Sequence, residues 1–251
     1  MKFRSAFIFV SCFIVSLWSA APASAITLMD GDFGGLGIDA TVFNNIPQLV
    51  TTATTPCLTC GVGGGAGLQT KFTAPLGGSA FWTLIDNNLS YNPSTQGAIT
   101  SLSMSGDKFV SITSLLNDFN LNTGLRVLIK QDGNIYEAFI LRSPVTIPAG
   151  GGTIPYLTVS GSLLASDFGL LDSTNGNPAL THPDFAGGPM LFGVSATSLA
   201  VFDFAGEVDF DNLSVTINEA TVTPLPAALP LFATGLGALG LLGWRRRRKA
   251  S

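Results

Sequence analysis

The chain has 251 residues, of which 46% are hydrophobic and only 11% charged, with a formal net charge of −4. That length suits one domain of about 200 residues plus terminal segments. Seven of the twelve basic residues sit at the two ends. The middle keeps Lys71, Lys108, Arg126, Lys130 and Arg142 against all sixteen acidic residues, a net −11, which excludes nucleic acid as a partner because phosphates need a basic face.

Residues 1–25 read as a secretory signal. Lys2 and Arg4 make the positive start, Ala6 to Trp18 is a mainly apolar run, and Ala23-Ser24-Ala25 puts small residues at both positions a signal peptidase reads. Cleavage is expected after Ala25. The apolar run falls short of the roughly 20 residues that a bilayer-spanning helix needs, so the chain is expected to be exported.

Residues 26–220 read as one extracytoplasmic β domain. Early in it stand Asp30 and Asp32. Cys57-Leu58-Thr59-Cys60 follows, and with Cys12 removed it holds the mature domain's two cysteines. A Cys57–Cys60 disulfide suits an oxidising compartment. Zinc would need four ligands and finds no second pair. A thioredoxin-like role would need the motif to open a helix in an α/β fold. Gly61 to Gly67 reads as a mobile glycine-rich loop. Phe81, Trp82 and Tyr91 are candidates for stacking on a sugar, with core packing an equal account of the first two.

Ala98 to Ser105 alternates, Leu102 and Met104 opposing Ser101, Ser103 and Ser105. Leu125, Val127 and Ile129 alternate with Arg126, Leu128 and Lys130, and a second run covers Ile135 to Leu141. Asp132-Gly133 between them predicts a hairpin, because a type I′ turn needs positive φ at both central residues. A helical turn or two is expected at Ser111 to Phe119 and at Ser162 to Phe168. Val208 to Ile217 is a strand whose phase breaks at Asp211-Asn212, which predicts a bulge. Many short strands punctuated by Gly, Pro, Asn and Asp predict an all-β fold, an antiparallel two-sheet sandwich.

Chemistry is sparse. The one histidine, His182, stands in a Thr-His-Pro loop, and no G-x-S-x-G or H-E-x-x-H occurs. Alternate strand positions share a face, so Asp30/Asp32 and Glu207/Asp209/Asp211 are two acidic clusters. If they meet, they would hold a structural Ca²⁺ through oxygens; otherwise they are solvent-exposed strand acids. Glycosidase chemistry would need a raised carboxyl pKa in a cleft.

Pro183-Asp184-Phe185-Ala186-Gly187-Gly188-Pro189-Met190-Leu191-Phe192-Gly193, followed by Val208-Asp209-Phe210-Asp211-Asn212-Leu213-Ser214-Val215, resembles the closing strands of lectin-like jelly rolls. That resemblance implies a fold rather than a ligand.

The chain closes on residues 221–251. From Ala227 to Trp244 every residue but Thr234 is apolar or small. Those residues reach about 27 Å as a helix, close to a bilayer's hydrocarbon thickness. Residues 245–249, Arg245 to Lys249, are all basic and are expected to stay cytoplasmic. Gly235-Leu236-Gly237-Ala238-Leu239-Gly240 has dinucleotide-loop spacing but lies inside this span, without the strand such a loop must follow. The sequence thus predicts a C-terminal transmembrane helix over 227–244.

Val222-Thr223-Pro224-Leu225-Pro226-Ala227-Ala228-Leu229-Pro230-Leu231-Phe232, the span and the basic cluster together resemble a PEP-CTERM sorting signal. Leu225 stands where that family usually has Glu. The resemblance implies an exosortase-like processing partner acting near Pro224, Leu225 and Pro226. It also implies anchoring in the inner membrane before transfer to the surface, and an association with exopolysaccharide. The expected role is a non-enzymatic surface or matrix protein. The alternatives are a carbohydrate-binding module and a polysaccharide-active enzyme.

Overall fold

The computed structural model describes residues 25–31, 33, 38–44, 51–74, 79–113, 117–171, 178–179, 181–199 and 204–220. By internal contacts the chain divides into Ala23–Ala220 and a second unit comprising Met1–Pro22 and Thr221–Ser251. The expected signal segment, Ala23, the Pro224-Leu225-Pro226 motif, the span 227–244 and the basic residues 245–249 lie outside the described residues, whereas Ala25 opens the first strand. Among the described residues no helix is long and apolar enough to cross a membrane.

Fifteen strands are described. They are β1 (Ala25–Asp30), β2 (Ile38–Asn44), β3 (Thr51–Cys57), β4 (Gly67–Ala74), β5 (Ser79–Tyr91), β6 (Ile99–Thr113), β7 (Phe119–Leu121), β8 (Leu125–Gln131), β9 (Asn134–Ile140), β10 (Val145–Ile147), β11 (Gly151–Leu163), β12 (Gly169–Leu171), β13 (Pro178–Ala179), β14 (Met190–Leu199) and β15 (Phe204–Glu219). One sheet runs β11-β6-β15-β4-β3, with β1 also paired to β15. The other runs β13-β12-β9-β8-β14-β5-β2, and β7 with β10 makes a small third ribbon. Every described pairing is antiparallel.

The two large sheets pack face to face, as expected of a sandwich. Leu102, Met104, Val110 and Ile112 of β6 and Val208, Phe210, Leu213, Val215 and Ile217 of β15 meet Trp82, Leu84, Val127, Ile129, Phe192 and Val194 of the other sheet in one core. Phe72 on β4 and Trp82 on β5 tie the layers together, their ring centroids 5.4 Å apart. Burying such side chains contributes about 1.5–3 kcal/mol each.

Two local signals are realised as read. Asp132 (φ 51°) and Gly133 (φ 80°) close the β8–β9 hairpin. The ladder between β15 and β6 shifts register between Asp211 and Ser214, with Asn212 at φ 50°. That bulge moves the inward phase from Val208 and Phe210 to Leu213, Val215 and Ile217.

Other readings are corrected. Residues 111–113 extend β6 and Phe119 belongs to β7, so these ends of the expected helical stretch are strand. At Ser162 to Phe168 the expected helical turn does form, as a 3-10 turn at Ala165–Asp167. The α-turn that does form, α1 (Pro93–Gln96), has Asn92 as its N-cap and proline at its start, as the capping rules favour. Gly61 to Gly67 is hydrogen-bonded rather than loose: Gly61 N–H donates to Gly65 O at 2.7 Å, Gly64 N–H to Gly61 O at 3.0 Å, and Val62 N–H to Asp211 at 2.6 Å.

Candidate functional site

The solvent face of the β11-β6-β15-β4-β3 sheet is organised in rungs by its register. Glu207 lies opposite Lys71 on one side and Ser111 on the other, and Lys71 lies opposite Ala53. One rung along, Ala205 lies opposite Thr73 and Thr113. With Gly206 and Phe72 these residues line an open trough across four strands. Its surface carries three hydroxyls, an ammonium and a carboxylate over alanine and glycine.

Moving the other way along β15, the next rung aligns Thr55, Gln69, Asp209 and Phe109. Tyr156 sits beside Phe109 at the irregularity of β11 between Ile154 and Leu157, the two rings 5.6 Å apart. Asp211 follows, opposite Asp107. The turn after β3, carrying Cys57-Leu58-Thr59-Cys60 and the glycines, covers this end of the face. Asp211 accepts the Val62 N–H at 2.6 Å and the Asn212 N–H at 2.7 Å, and the Tyr156 hydroxyl donates to the Cys60 carbonyl.

The cover explains why Asp209 is only 3% exposed despite its outward phase. Burial, helped by the charge of Glu207, pushes its carboxyl up to about 7, while Gln69 and Lys71 pull the other way. Its Oδ1 has no hydrogen-bond partner. Burial and the nearby Asp209 likewise raise the Tyr156 hydroxyl.

Of the two expected acidic clusters, Asp30 is not brought to Glu207, Asp209 and Asp211. Asp30 lies by Asp86 of the opposite sheet, and Asp86 is pushed up to about 6 by burial against a hydrogen bond from the Asn88 N–H, with Asp30 adding to the rise. Glu207, Asp209 and Asp211 face the outer side of their own sheet, and Asp32 lies outside the described residues. Among the described residues no group of three acidic, imidazole or thiol side chains is placed to hold a metal ion. Asp209 and Asp211 are not solvent-exposed strand acids either, since both are buried.

Trp82 is 0% exposed and Tyr91 1%, so both are core. The Tyr91 hydroxyl is held by Gly97 O at 2.8 Å and Glu219 at 3.0 Å. The side chain of Phe81 lies outside the described residues. His182 is exposed, its Nδ1 against the Phe168 carbonyl. Cys57 and Cys60 are both half-buried and not joined to each other, and the Cys60 thiol donates to the Cys57 carbonyl oxygen at 3.9 Å.

The aromatic pair that reaches the outer face, Phe109–Tyr156, was not singled out from the sequence. A signal for half of it existed. The outward phase of β6 reads Ser101, Ser103, Ser105, Asp107, Phe109, Ser111, Thr113, and Phe109 is the only large apolar residue in it. Tyr156 reaches the pair through an irregular strand, which no alternation reveals.

No family model matches the chain, and no curated protein matches it. Among solved structures it is similar to the family 11 carbohydrate-binding module of the cellulosomal cellulase Lic26A-Cel5E of Clostridium thermocellum. The identity is 14% and the TM-score 0.37, over 79% of this chain and 97% of that one. It is also similar to the CBM22-1 and CBM22-2 xylan-binding domains of Paenibacillus barcinonensis Xyn10C. The first is 10% identical with TM-score 0.36, over 80% of this chain and 99% of that one. The second is 9% identical with TM-score 0.37, over 76% and 99%. Likeness at this level leaves the ligand of this chain to its own residues.

Proposed function

We propose that the chain is an exported, non-catalytic surface protein whose sandwich binds polysaccharide along the outer face of the β11-β6-β15-β4-β3 sheet. The observation that carries this reading is the trough of Lys71, Thr73, Ser111, Thr113 and Glu207, with Phe109 of the Phe109–Tyr156 pair one rung along β6 from Ser111. Sugar hydroxyls both donate and accept, so a surface of hydroxyls with one ammonium and one carboxylate offers complementary partners. An aromatic wall beside it supplies apolar contact. Successive rungs lie about 6.6–6.8 Å apart, so an extended chain would meet hydroxyls on two of them and the Lys71–Glu207 pair on one.

A glycosidase reading fits less well. Hydrolysis needs two carboxyls flanking the scissile bond, and the trough exposes only Glu207, because Asp209 is sealed beneath the turn. Export, membrane retention and exosortase-type processing belong to the same proposal and rest on the terminal sequence segments.

The test is affinity electrophoresis of the exported protein through gels containing neutral and acidic polysaccharides. Retardation is expected in at least one. Lys71→Ala together with Glu207→Ala should weaken it about tenfold or more, equivalent to about 1.4 kcal/mol. Retardation by no polysaccharide, or undiminished binding in the double variant, overturns the assignment of the trough.

A further inference from the structure

We propose that Arg126, on the outer face of the β13-β12-β9-β8-β14-β5-β2 sheet, receives an isolated carboxylate carried by an otherwise neutral saccharide chain. That the carrier is a saccharide rests on the function proposed above. The site itself lies on the other sheet and does not involve the trough.

The register builds it. Val127 and Ile129 belong to the core, so Arg126, Leu128 and Lys130 take the outer phase of β8. One rung of that face runs from Phe139 on β9 through Arg126 on β8 and Ser195 on β14 to Thr83 on β5. Glu137, the next outward residue of β9, reaches across to this rung. Its Oε1 accepts from Arg126 Nη1 at 2.9 Å and from the Ser195 hydroxyl at 2.9 Å. The guanidinium carbon of Arg126 lies 4.9 Å from the centre of the Phe139 ring. Gly124 leaves that ring its place, since a Cβ there would come 2.8 Å from the ring and 2.4 Å from the Ile140 carbonyl oxygen.

This arrangement orients a cation without consuming it. The Glu137 side chain is 3% exposed and that of Arg126 32%. A buried ion pair is weak support for a fold, because desolvation offsets the attraction. What the pair fixes is the guanidinium plane, held by a carboxylate at one edge and an aromatic ring at its face. Among the described residues Glu137 is the hydrogen-bond partner of Arg126, through Nη1. The remaining N–H groups keep the fork that matches the two oxygens of a carboxylate.

The surrounding charge selects the ligand. Of the five cations between the chain ends, three lie on β8 or against it. They are Arg126, Lys130 two rungs along the strand, and Lys108, whose ammonium donates to the Gly124 carbonyl at 3.1 Å. Burial, then the charge of Arg126, pushes the Lys108 ammonium down to about 8. Glu137 balances one of these cations, and Asp39 of β2, opposite Ile85, is three strands from Arg126. The middle of the chain as a whole is −11, which repels a dense polyanion. A local cationic site in an acidic domain therefore suits single carboxylates spaced along a neutral chain.

The test is affinity electrophoresis of the full chain through gels containing deacylated gellan, which carries a single glucuronate in each repeat, or the same polymer with that carboxyl reduced to an alcohol. Physiological ionic strength screens the charge of the rest of the domain. The wild-type protein should bind gellan about tenfold more tightly than the reduced polymer. Arg126→Lys keeps the charge that Glu137 needs and loses the fork. It should weaken gellan binding about fivefold or more and leave binding to the reduced polymer unchanged. Circular dichroism checks folding, and if Arg126→Lys is not folded, Arg126→Gln with Glu137→Gln removes both charges together and should erase the preference. Lys71→Ala with Glu207→Ala should keep the preference for gellan, which separates this site from the trough. Equal retardation by the two polymers, no retardation by gellan, undiminished gellan binding in Arg126→Lys, or a preference lost with the trough pair overturns the proposal.

Discussion

Asp209 carries the strongest consequence of any single side chain, because its carboxyl is buried on the face where strand acids normally meet water. Its pKa is pushed up to about 7, and Asp86, beside Asp30, is pushed up to about 6. Both lie above the unfolded value near 3.8, so between those limits the folded chain binds more protons than the unfolded one. Linkage then makes folding stability fall as pH rises. The contribution is fully present below about pH 4 and is lost as pH climbs through 6 to 7. Urea unfolding at pH 4.5, 6 and 7.5 should show midpoints that decrease in that order. Asp209→Asn should abolish the decline above about pH 6 and leave a shallower one between about pH 4 and 6. An unchanged profile in that variant would assign the decline to other groups.

Among the elements, the β3–β4 turn is the most demanding. Gly61→Ala should destabilise by about 1–3 kcal/mol, the usual cost of forcing atoms into a close-packed place, with a lower urea midpoint as the readout. Gly133→Ala, in open space at φ 80°, should cost less, about 1–2 kcal/mol from the left-handed backbone alone. The comparison also shows what was legible in sequence. Asp132-Gly133 announces its turn because a hairpin needs only local chemistry, and the phase break at Asp211-Asn212 announces its bulge for the same reason. Gly61 to Gly67 reads as loose because glycines announce no turn by side chain, and part of its order comes from Asp211, 149 positions from Val62. The sheet order β11-β6-β15-β4-β3 is equally hidden, since alternation says which face a residue takes but not which strand lies beside it. The trough inherits that limit. Lys71, Ser111 and Glu207 are distant in sequence and become neighbours only through register. The acidic alternation at Glu207, Asp209 and Asp211 was visible, but its burial was not.

At the scale of the whole sandwich, β15 relates the proposed binding face to Ala25 and Ala220, where the described domain begins and ends. β1 runs antiparallel to the last part of β15, with Ala25 opposite Asn218 and Ile26 opposite Ile217. Cleavage after Ala25 would therefore leave the ladder intact from Ile26 onward, and sequencing the exported protein should find Ile26 first. The described chain leaves the same end of the sandwich at Ala220, whose N–H donates to the Ala98 carbonyl at 2.7 Å. The trough lies at the opposite end of β15, around Ala205–Glu207. Twelve residues of strand separate Glu207 from Glu219, about 40 Å at 3.3 Å each. In the proposed reading the binding face lies around Ala205–Glu207, twelve residues before Glu219, so removing the chain after Ala220 should spare it. Truncation after Ala220 should release the protein from the membrane fraction while polysaccharide retardation stays within about twofold of the full chain. Deleting Arg245 to Lys249 should instead disturb retention if, as proposed, those cations orient the apolar run. Changing Pro224 and Pro226 to Ala should leave insertion intact and slow removal of the tail, since the motif then loses its two helix-breaking residues. The readouts are the protein's mass and its partition between membrane and medium, in cells with and without an exosortase. A truncated protein that is released but no longer binds polysaccharide would place the ligand site at the tail end. A tail retained in both kinds of cell would reduce 227–244 to a permanent anchor and leave the binding face as the only function of the proposal still standing.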